Sequence, residues 1–195
     1  MKEIPKNMIG LSGKYFVQSM LIREGLPTAS GKNGIDLVVR LKKPRREFYL
    51  FVVSNLQPKR AGGKGKEALD WWVPVKTDAD VVACVDLSAL RVYLFNRDEL
   101  ARFAQQRTAA KHHLYMYTDK AVALRGKKSM KFDYEFEAYK LENRVHRGIF
   151  DRRIMHVVSK KETPRPRARA AKAVRAGRSR PRAGRGKRGG AARKG

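Results

Sequence analysis

The chain has 195 residues, 42% of them hydrophobic, and its 45 Lys and Arg against 18 Asp and Glu give a formal net charge of +27. This length allows one domain with an extension or two small domains, and the excess charge favours nucleic acid or another polyanion as the partner. The lone Cys84 excludes an intramolecular disulfide and a cysteine-cluster zinc site, and the absence of a bilayer-length apolar run or a signal-peptide pattern predicts a cytoplasmic location without a membrane partner.

The first third of the chain is predicted to form one helix and a β-hairpin. Apolar residues recur at helical spacing over residues 9–24, and Gly25 ends this pattern. Residues 26–30 follow as a short edge strand or an extended loop. Two segments rich in β-branched and aromatic residues, 34–41 and 47–54, flank a basic turn of hairpin length, and we expect them to pair as antiparallel strands.

Residues 57–66 are rich in Gly, Lys and Arg and have no apolar anchor. Such a segment is either a solvated turn or a loop that contacts phosphates, and both interpretations stay open. Residues 67–72 are predicted to form a short helix or turn that contains the adjacent Trp71 and Trp72. Because neighbouring residues of a helix do not share a face, we expect one indole inside and the other at an edge, where base stacking is an alternative to packing.

Strands and helices alternate in the second half of the chain. The predicted elements are a strand pair at 80–87 and 91–95, a helix that begins at a capping box of Asn96 and Glu99, a strand at 112–117, and a last helix at 133–147 with Asp133 as its cap and Gly148 beyond its end. The adjacent His112 and His113 would point to opposite faces of their strand, which argues against a shared metal ion. This order predicts an α/β (α+β) fold with a central mixed β-sheet flanked by helices.

Asp36 interrupts the apolar run of the first predicted hairpin strand. A carboxylate at such a position is costly to bury unless it is hydrogen-bonded, paired or bound to a cation. With this order of elements, a single Asp that enters the second strand resembles the PD-(D/E)XK nuclease superfamily, and most of all its group I intron-associated endonuclease-like branch. The resemblance covers residues 8–106 and is carried by five segments: Gly10-Leu-Ser-Gly-Lys-Tyr15, Arg23-Glu-Gly25, Gly34-Ile-Asp-Leu37, 48–54 and 80–95.

The resemblance implies a restriction-endonuclease-like αβββαβ core. In active members of the family, an acid on the first helix, the Asp, and a Glu or Gln on the next strand hold a divalent cation, and a Lys two positions further on positions the attacking water. In this chain Lys14 stands at the helix position, and Val52 and Ser54 stand at the strand positions. Only Asp36 remains of the motif.

The resemblance therefore implies a degenerate nuclease centre without a resident metal, in which a salt bridge with Lys14 would neutralise Asp36. An alternative register exists, because Gln57-Pro58-Lys59 also spells Gln-x-Lys. It would give an active DNA endonuclease that uses Asp36, Gln57 and Lys59 with Mg²⁺ or Mn²⁺, with Asp36 as a metal ligand. In that register, however, Pro58 would interrupt the hydrogen-bond ladder of the strand.

The nuclease-like domain is expected to span residues 1–155, with 107–155 as a helical extension, and a basic tail follows over 156–195. From residue 160 onward the tail holds fifteen Lys or Arg residues, one acid and almost no apolar side chain. Such a segment cannot bury enough surface to offset its ordering entropy, so we expect it to be disordered. It resembles the arms of nucleoid-associated and linker-histone-like proteins, and it predicts salt-dependent polyanion binding at the nucleoid. A solubilising extension is the alternative.

These observations predict a nucleic-acid-binding protein, with DNA favoured and RNA allowed, from a mobile-element or DNA-processing context. Its nuclease-like domain is expected to be inactive, and its candidate contacts are Lys14, Ser54, Asn55, Lys59, Arg60, Lys64, Lys66, Arg165, Arg167 and Arg169. Two alternatives stay open: the active endonuclease, and a nucleoid- or ribosome-associated structural protein whose tail is its main functional part. A homodimer, which is common among active relatives, also stays open.

Overall fold

A computed structural model describes residues 4–62, 66–119 and 132–151 of the protein. The predicted tail over 156–195 lies outside these residues. Several predicted contacts lie outside them as well, namely Lys64, the side chain of Lys66, and the tail residues Arg165, Arg167 and Arg169. What was predicted for these residues stays a prediction.

The first helix, α1, spans Lys6–Arg23, and β1 (Thr28–Ser30), β2 (Leu37–Leu41) and β3 (Arg46–Asn55) follow it. β1 pairs antiparallel with β2, and β2 pairs antiparallel with β3. The chain leaves α1 through Gly25, whose φ of 76° is a left-handed conformation that glycine adopts without strain. The predicted helix, edge strand and hairpin are confirmed, although α1 begins at Lys6 rather than at residue 9.

The first sheet is completed by β6 (Val81–Asp86) and β7 (Arg91–Asn96), which confirm the predicted second strand pair. Its strand order is β1-β2-β3-β6-β7, and it is mixed because β3 and β6 run parallel while the other neighbours run antiparallel. α2 (Arg97–Phe103) begins at the predicted capping box. The side-chain oxygen of Asn96 accepts a hydrogen bond from the Glu99 amide at 2.8 Å, and Glu99 Oε2 accepts one from the Asn96 amide at 2.9 Å.

A second sheet lies after β3 in the chain and contains four strands. They are β4 (Lys59–Gly62), β5 (Lys66–Pro74), β8 (Gln106–Arg107) and β9 (Lys111–Tyr117), in the order β4-β5-β9-β8. Each pair of neighbours in this sheet is antiparallel. β9 confirms the strand that was predicted at 112–117.

Two sequence predictions for this second sheet are wrong. Residues 57–66 are not a continuous basic loop, because β4 pairs there with β5, and residues 67–72 are a strand rather than a short helix or turn. The physical reason is the pairing of β5 with β9, a strand far along the chain that no local pattern reveals. Because side chains alternate along a strand, Trp71 is buried and Trp72 is 40% exposed, so the predicted separation of the two indoles is still found.

The first sheet lies between two apolar cores. On one of its faces Leu21 of α1 packs in the same cluster as Leu50 of β3, and on the other face Trp71 of β5 packs in a cluster with Val82 and Cys84 of β6. Burial raises the pKa of the Cys84 thiol well above its ordinary value, so this thiol is inert. The predicted central mixed sheet flanked by helices is confirmed. The connection between parallel β3 and β6 differs from the implied αβββαβ order, because it consists of β4 and β5.

The last helix, predicted over 133–147, is divided in two. A 3₁₀-helix spans Asp133–Tyr139, and α3 spans Leu141–His146. Lys140 separates them because its backbone is extended, with a ψ of 145°, and forms an antiparallel bridge with Tyr93 of β7. A contact with the edge of the first sheet therefore overrides the local helical pattern.

The ends of this divided segment give one correction and one confirmation. Asp133 is not the predicted helix cap, because it is the first residue of the 3₁₀-helix and Phe132 stands at the cap position. Its carboxylate accepts a hydrogen bond from Arg91 Nη1 at 3.0 Å and thereby ties the segment to β7. Gly148 lies just beyond the helical turns, as predicted, with a φ of 75°. Among the helices that the structure describes, none combines the length and apolar character needed to cross a membrane.

Candidate functional site

Asp36 immediately precedes β2, and its carboxylate is bound by the backbone of β3. Asp36 Oδ2 accepts a hydrogen bond from the Val52 amide at 2.7 Å, and the Asp36 amide donates to the Leu50 carbonyl at 2.9 Å. The paired register of β2 and β3 ends where Leu37 faces Leu50, so the carboxylate takes the place of the next backbone acceptor. This hydrogen bond offsets the cost of half-burying the charge.

The predicted salt bridge between Asp36 and Lys14 is wrong. Both residues lie in the described range 4–62, yet no ion pair there involves Asp36. Lys14 is half-buried on α1. A carboxylate at this position requires a hydrogen bond, an ion pair or a cation, and the Val52 amide, which the strand register holds in place, supplies the hydrogen bond.

α1 crosses β3 in direct contact, at Gly13 and Ser54. A Cβ atom added to Gly13 would lie 1.7 Å from Ser54 Oγ and 2.7 Å from Ser54 Cβ, so a larger residue does not fit without movement of the helix. Ser54 Oγ is buried and has no hydrogen-bond partner among the residues described. The position at which the resemblance requires a catalytic Lys is therefore covered by the helix, and Ser54 does not offer its hydroxyl to a nucleic acid.

The residues around Asp36 do not fit a divalent metal ion. Within 4–62, 66–119 and 132–151, no three His, Cys, Asp or Glu side chains form a cluster that could hold one. Of the two neighbouring motif positions, Val52 carries no ligand atom on its side chain and Ser54 is covered by α1. Hard cations require several oxygen ligands, and a single carboxylate that already accepts an amide hydrogen bond does not supply them.

The alternative register is not assembled on the strand that faces Asp36. β3 ends at Asn55, so Gln57 follows the strand instead of lying on it. Lys59 opens β4 and belongs to the second sheet. Pro58, which would have interrupted β3, lies in the connection between the two strands, where it needs no ladder hydrogen bond. The structure therefore places Gln57 and Lys59 outside the motif position that the alternative required.

The other predicted contacts of the folded domain differ in how accessible they are. Asn55 is 4% exposed, and its Nδ2 donates a hydrogen bond to the Asp70 carbonyl at 2.8 Å, so this amide joins β3 to β5 and is not available to a nucleic acid. Lys59 and Arg60 are exposed on β4. Together with half-buried Lys14, they are the predicted contacts that keep an accessible charge in the described part of the chain.

A surface cavity of about 560 Å³ lies beside the turn between β2 and β3, and we call it the hairpin cavity. Its lining contains Pro27, Leu41, four cations and one acid: Arg40, Lys42, Arg45, Arg46 and Glu47. Both carboxylate oxygens of Glu47 already have partners. Its Oε1 lies 3.0 Å from Arg40 Nε, and its Oε2 accepts a hydrogen bond from Tyr49 Oη at 3.3 Å. The hairpin cavity therefore presents a positive potential of the kind that attracts phosphates. The sequence carried this signal as a basic turn, to which no role was given.

No family model matches the chain, and no curated protein matches it. Among solved structures, that of a bacterial homing endonuclease, I-Ssp6803I, is similar to it in fold. The two chains share 14% sequence identity with a TM-score of 0.47, and the similarity covers 82% of this chain and 100% of the other.

Proposed function

We propose that the protein binds nucleic acid, with DNA favoured, through a nuclease-like domain that has lost its hydrolytic centre and through a polycationic tail. The observation that carries the proposal is the state of Asp36. Its carboxylate completes the hydrogen bonding of β3 at the Val52 amide, and the motif positions beside it hold Val52 and Ser54. Asp36 is thus a structural residue at the place where the resemblance calls for a metal ligand.

The chemistry of these positions argues against hydrolysis. A metal-dependent nuclease needs a cation to stabilise the charge that develops on the scissile phosphate and to lower the pKa of the attacking water. Lys14, at the helix position of the motif, would repel such a cation and attract a phosphate. The family arrangement in this chain favours binding of the phosphate backbone over its cleavage.

The distribution of charge supports the binding part of the proposal. The net charge of +27 is shared between the tail and the rest of the chain. In the folded domain, four cationic side chains line the hairpin cavity together with one acid, Glu47, which is already paired. Each phosphate that a Lys or Arg neutralises releases condensed counterions, which gives an affinity that falls steeply with salt. We expect both parts to contribute to this term.

The central experiment measures DNA binding and plasmid nicking by the full chain, with Mg²⁺ or Mn²⁺ present. We expect salt-dependent binding and no nicking. Nicking that is lost in both Asp36→Ala and Lys59→Ala would overturn the inactive centre and favour the active endonuclease. A chain that lacks residues 156–195 tests the structural alternative, because loss of all binding would leave the folded domain without a ligand.

The hairpin cavity offers a second test of the same proposal. Neutralising two of its cations in Arg45→Gln/Arg46→Gln should reduce the slope of log K against log salt by about two, since each phosphate contact contributes about one. The matched control is Lys76→Gln, which removes an exposed charge beyond β5 and should change the slope less. Equal slopes for the chain and for the double variant would exclude the hairpin cavity as a phosphate contact.

A further inference from the structure

The outer face of the second sheet differs from its inner face. Alternate residues of β5 and β9, such as Leu69 and Met116, are buried in the core against the first sheet. The residues between them point away from it, and six of these eight are aromatic or polar. They are Ala68, Asp70, Trp72 and Pro74 of β5, paired with Tyr117, Tyr115, His113 and Lys111 of β9. We call this surface the aromatic face.

Trp72 and His113 form a fixed stack at the centre of the aromatic face. Their ring centroids lie 4.0 Å apart with an interplanar angle of 6°, and the two residues are directly opposite each other across the strand pair. His113 is 5% exposed, and its Nε2 contacts Asp70 Oδ1, which holds the imidazole in place. Trp72 is 40% exposed, so part of the indole is accessible to a ligand.

The stack continues into a row of aromatic residues. From His113 the ring centroids are separated by 5.4 Å to Tyr115, then 5.6 Å to Tyr117 and 5.9 Å to Phe132. Tyr117 and Phe132 are buried, and they anchor the row to the protein. The series continues from Phe132 to the exposed Tyr134, so Trp72 is one of its two exposed ends. Because the indole is held by packed neighbours, it loses little conformational freedom when another ring stacks on it.

Lysines lie on the same face as the stack. Lys59 of β4 is opposite Ala68, and Lys111 of β9 is opposite Pro74, so both side chains project on the side of Trp72. Both lysines are exposed, whereas the acid on this face, Asp70, is engaged by His113. An exposed indole flanked by cations combines base stacking with attraction of phosphates, as in sites that bind single strands.

We propose that the aromatic face binds single-stranded nucleic acid, with an unpaired base stacked on Trp72 and the phosphates of the strand near Lys59 and Lys111. The proposal rests on the proposed function and narrows its ligand to unpaired regions of DNA or RNA. A duplex can bind at the hairpin cavity and at the tail, because these would contact phosphates alone. It cannot stack a base on Trp72, because the faces of its bases are already covered by neighbouring base pairs.

The test compares binding of the full chain and of Trp72→Ala to three probes of equal length: an oligothymidylate, the same strand with an abasic residue at every position, and a duplex. We expect Trp72→Ala to weaken oligothymidylate binding by roughly tenfold or more, since stacking of one base is worth that much. Its affinity for the abasic strand and for the duplex should stay within about twofold of the unchanged chain. Trp72→Phe should keep most of the affinity, because a phenyl ring also stacks.

Removing the bases from the strand and removing the indole from the protein should weaken binding by the same factor, and the two losses should not be additive. The matched control, Ile22→Ala, removes an exposed apolar side chain from α1 and should bind all three probes unchanged. An equal loss on the abasic strand, or no loss on oligothymidylate, would overturn the stacking role while leaving the proposed function intact. No binding of the unchanged chain to any probe would instead overturn the proposed function itself.

Discussion

The first sheet, β1-β2-β3-β6-β7, is covered on both faces, whereas the second sheet, β4-β5-β9-β8, is covered on its inner face and only in part on its outer face, where Ala68, Tyr117 and Phe132 form a small buried cluster. All six residues of β6 are buried, but on the outer face of β9 Lys111 is exposed and Tyr115 is partly accessible, although His113 between them is buried. Asp36 belongs to the closed region, where the contact of Gly13 with Ser54 leaves no space beside β3. A ligand can bind only at an accessible surface. The accessible surfaces described above are the hairpin cavity and the aromatic face.

This difference separates two kinds of mutational effect. Changes inside the closed region should lower the free energy of unfolding and leave binding per folded molecule unchanged. Changes on the aromatic face should weaken binding per folded molecule and have little effect on the free energy of unfolding. The four variants below test this separation, from the largest expected effect to the smallest.

Arg144→Ala should destabilise the protein most. Arg144 Nη2 lies 2.7 Å from Glu99 Oε2, with the two side chains 14% and 5% exposed, so this ion pair joins α3 to the capping box of α2. Loss of one partner leaves a buried charge unpaired, and we expect the free energy of unfolding to fall by about 3–5 kcal/mol in urea denaturation. The double variant Glu99→Gln/Arg144→Met leaves no buried charge and keeps the cap, so it should recover at least half of the loss. If it recovers nothing, the effect comes from packing.

Gly13→Ala should destabilise the protein by about 1–3 kcal/mol, because the added Cβ forces α1 away from β3. Gly10→Ala is the matched control in the same helix, since a Cβ there meets nothing within 4 Å. That control should stabilise the protein by roughly 0.5–1 kcal/mol through helix propensity. Thermal unfolding measures both variants, and opposite shifts of Tm are the expected outcome. A stabilising Gly13→Ala would mean that the region beside β3 is open after all.

Asp36→Ala should cost about 1–2 kcal/mol, because it leaves the Val52 amide without its acceptor. Asp36→Asn keeps an acceptor oxygen in the same place and should retain most of the stability. Affinity for DNA, measured on the folded fraction, should be unchanged in both variants. Stability that is equally low in the Asn variant would show that the charge of Asp36 matters and not its hydrogen bond.

Trp72→Ala should have the smallest effect on stability, at about 1 kcal/mol, because the indole is partly exposed and its ring contact in the described part of the chain is the stack with His113. Its effect should fall on the binding of single strands. A loss of several kcal/mol in urea denaturation would place Trp72 among the core residues and remove the distinction between the two sheets.

Elements with local signals could be predicted from the sequence. The apolar spacing of α1, the hairpin of β2 and β3, and the capping box of Asn96 and Glu99 each depend on residues close together in the chain. β5 could not be predicted in this way, because it is held by β9, and β6, β7, α2 and β8 lie between these two strands in the sequence. The break at Lys140 depends on Tyr93, which is equally distant in sequence.

The candidate site shows the same limit in its chemistry. The misfit of Asp36 was visible in the sequence, but its partner was not, because the Val52 amide becomes available only through the register of β2 against β3. A cationic side chain such as Lys14 can be recognised in a sequence as a possible counter-ion. A backbone amide that lacks a strand partner cannot be recognised there, because every residue except proline carries such an amide. The stack of Trp72 on His113 was hidden for a similar reason, since it requires the pairing of β5 with β9.

The insertion of β4 and β5 between parallel β3 and β6 has a consequence for how the chain folds. During synthesis from the N-terminus, β5 emerges before β6, but its neighbour β9 emerges only after β7 and α2 are complete. Until then one edge of β5 has unsatisfied amides and carbonyls, and such edges recruit other chains. Long-range pairings of this kind also slow folding. The nascent protein thus has an interval of vulnerability to aggregation that ends when residue 117 has left the exit tunnel and β9 closes the edge.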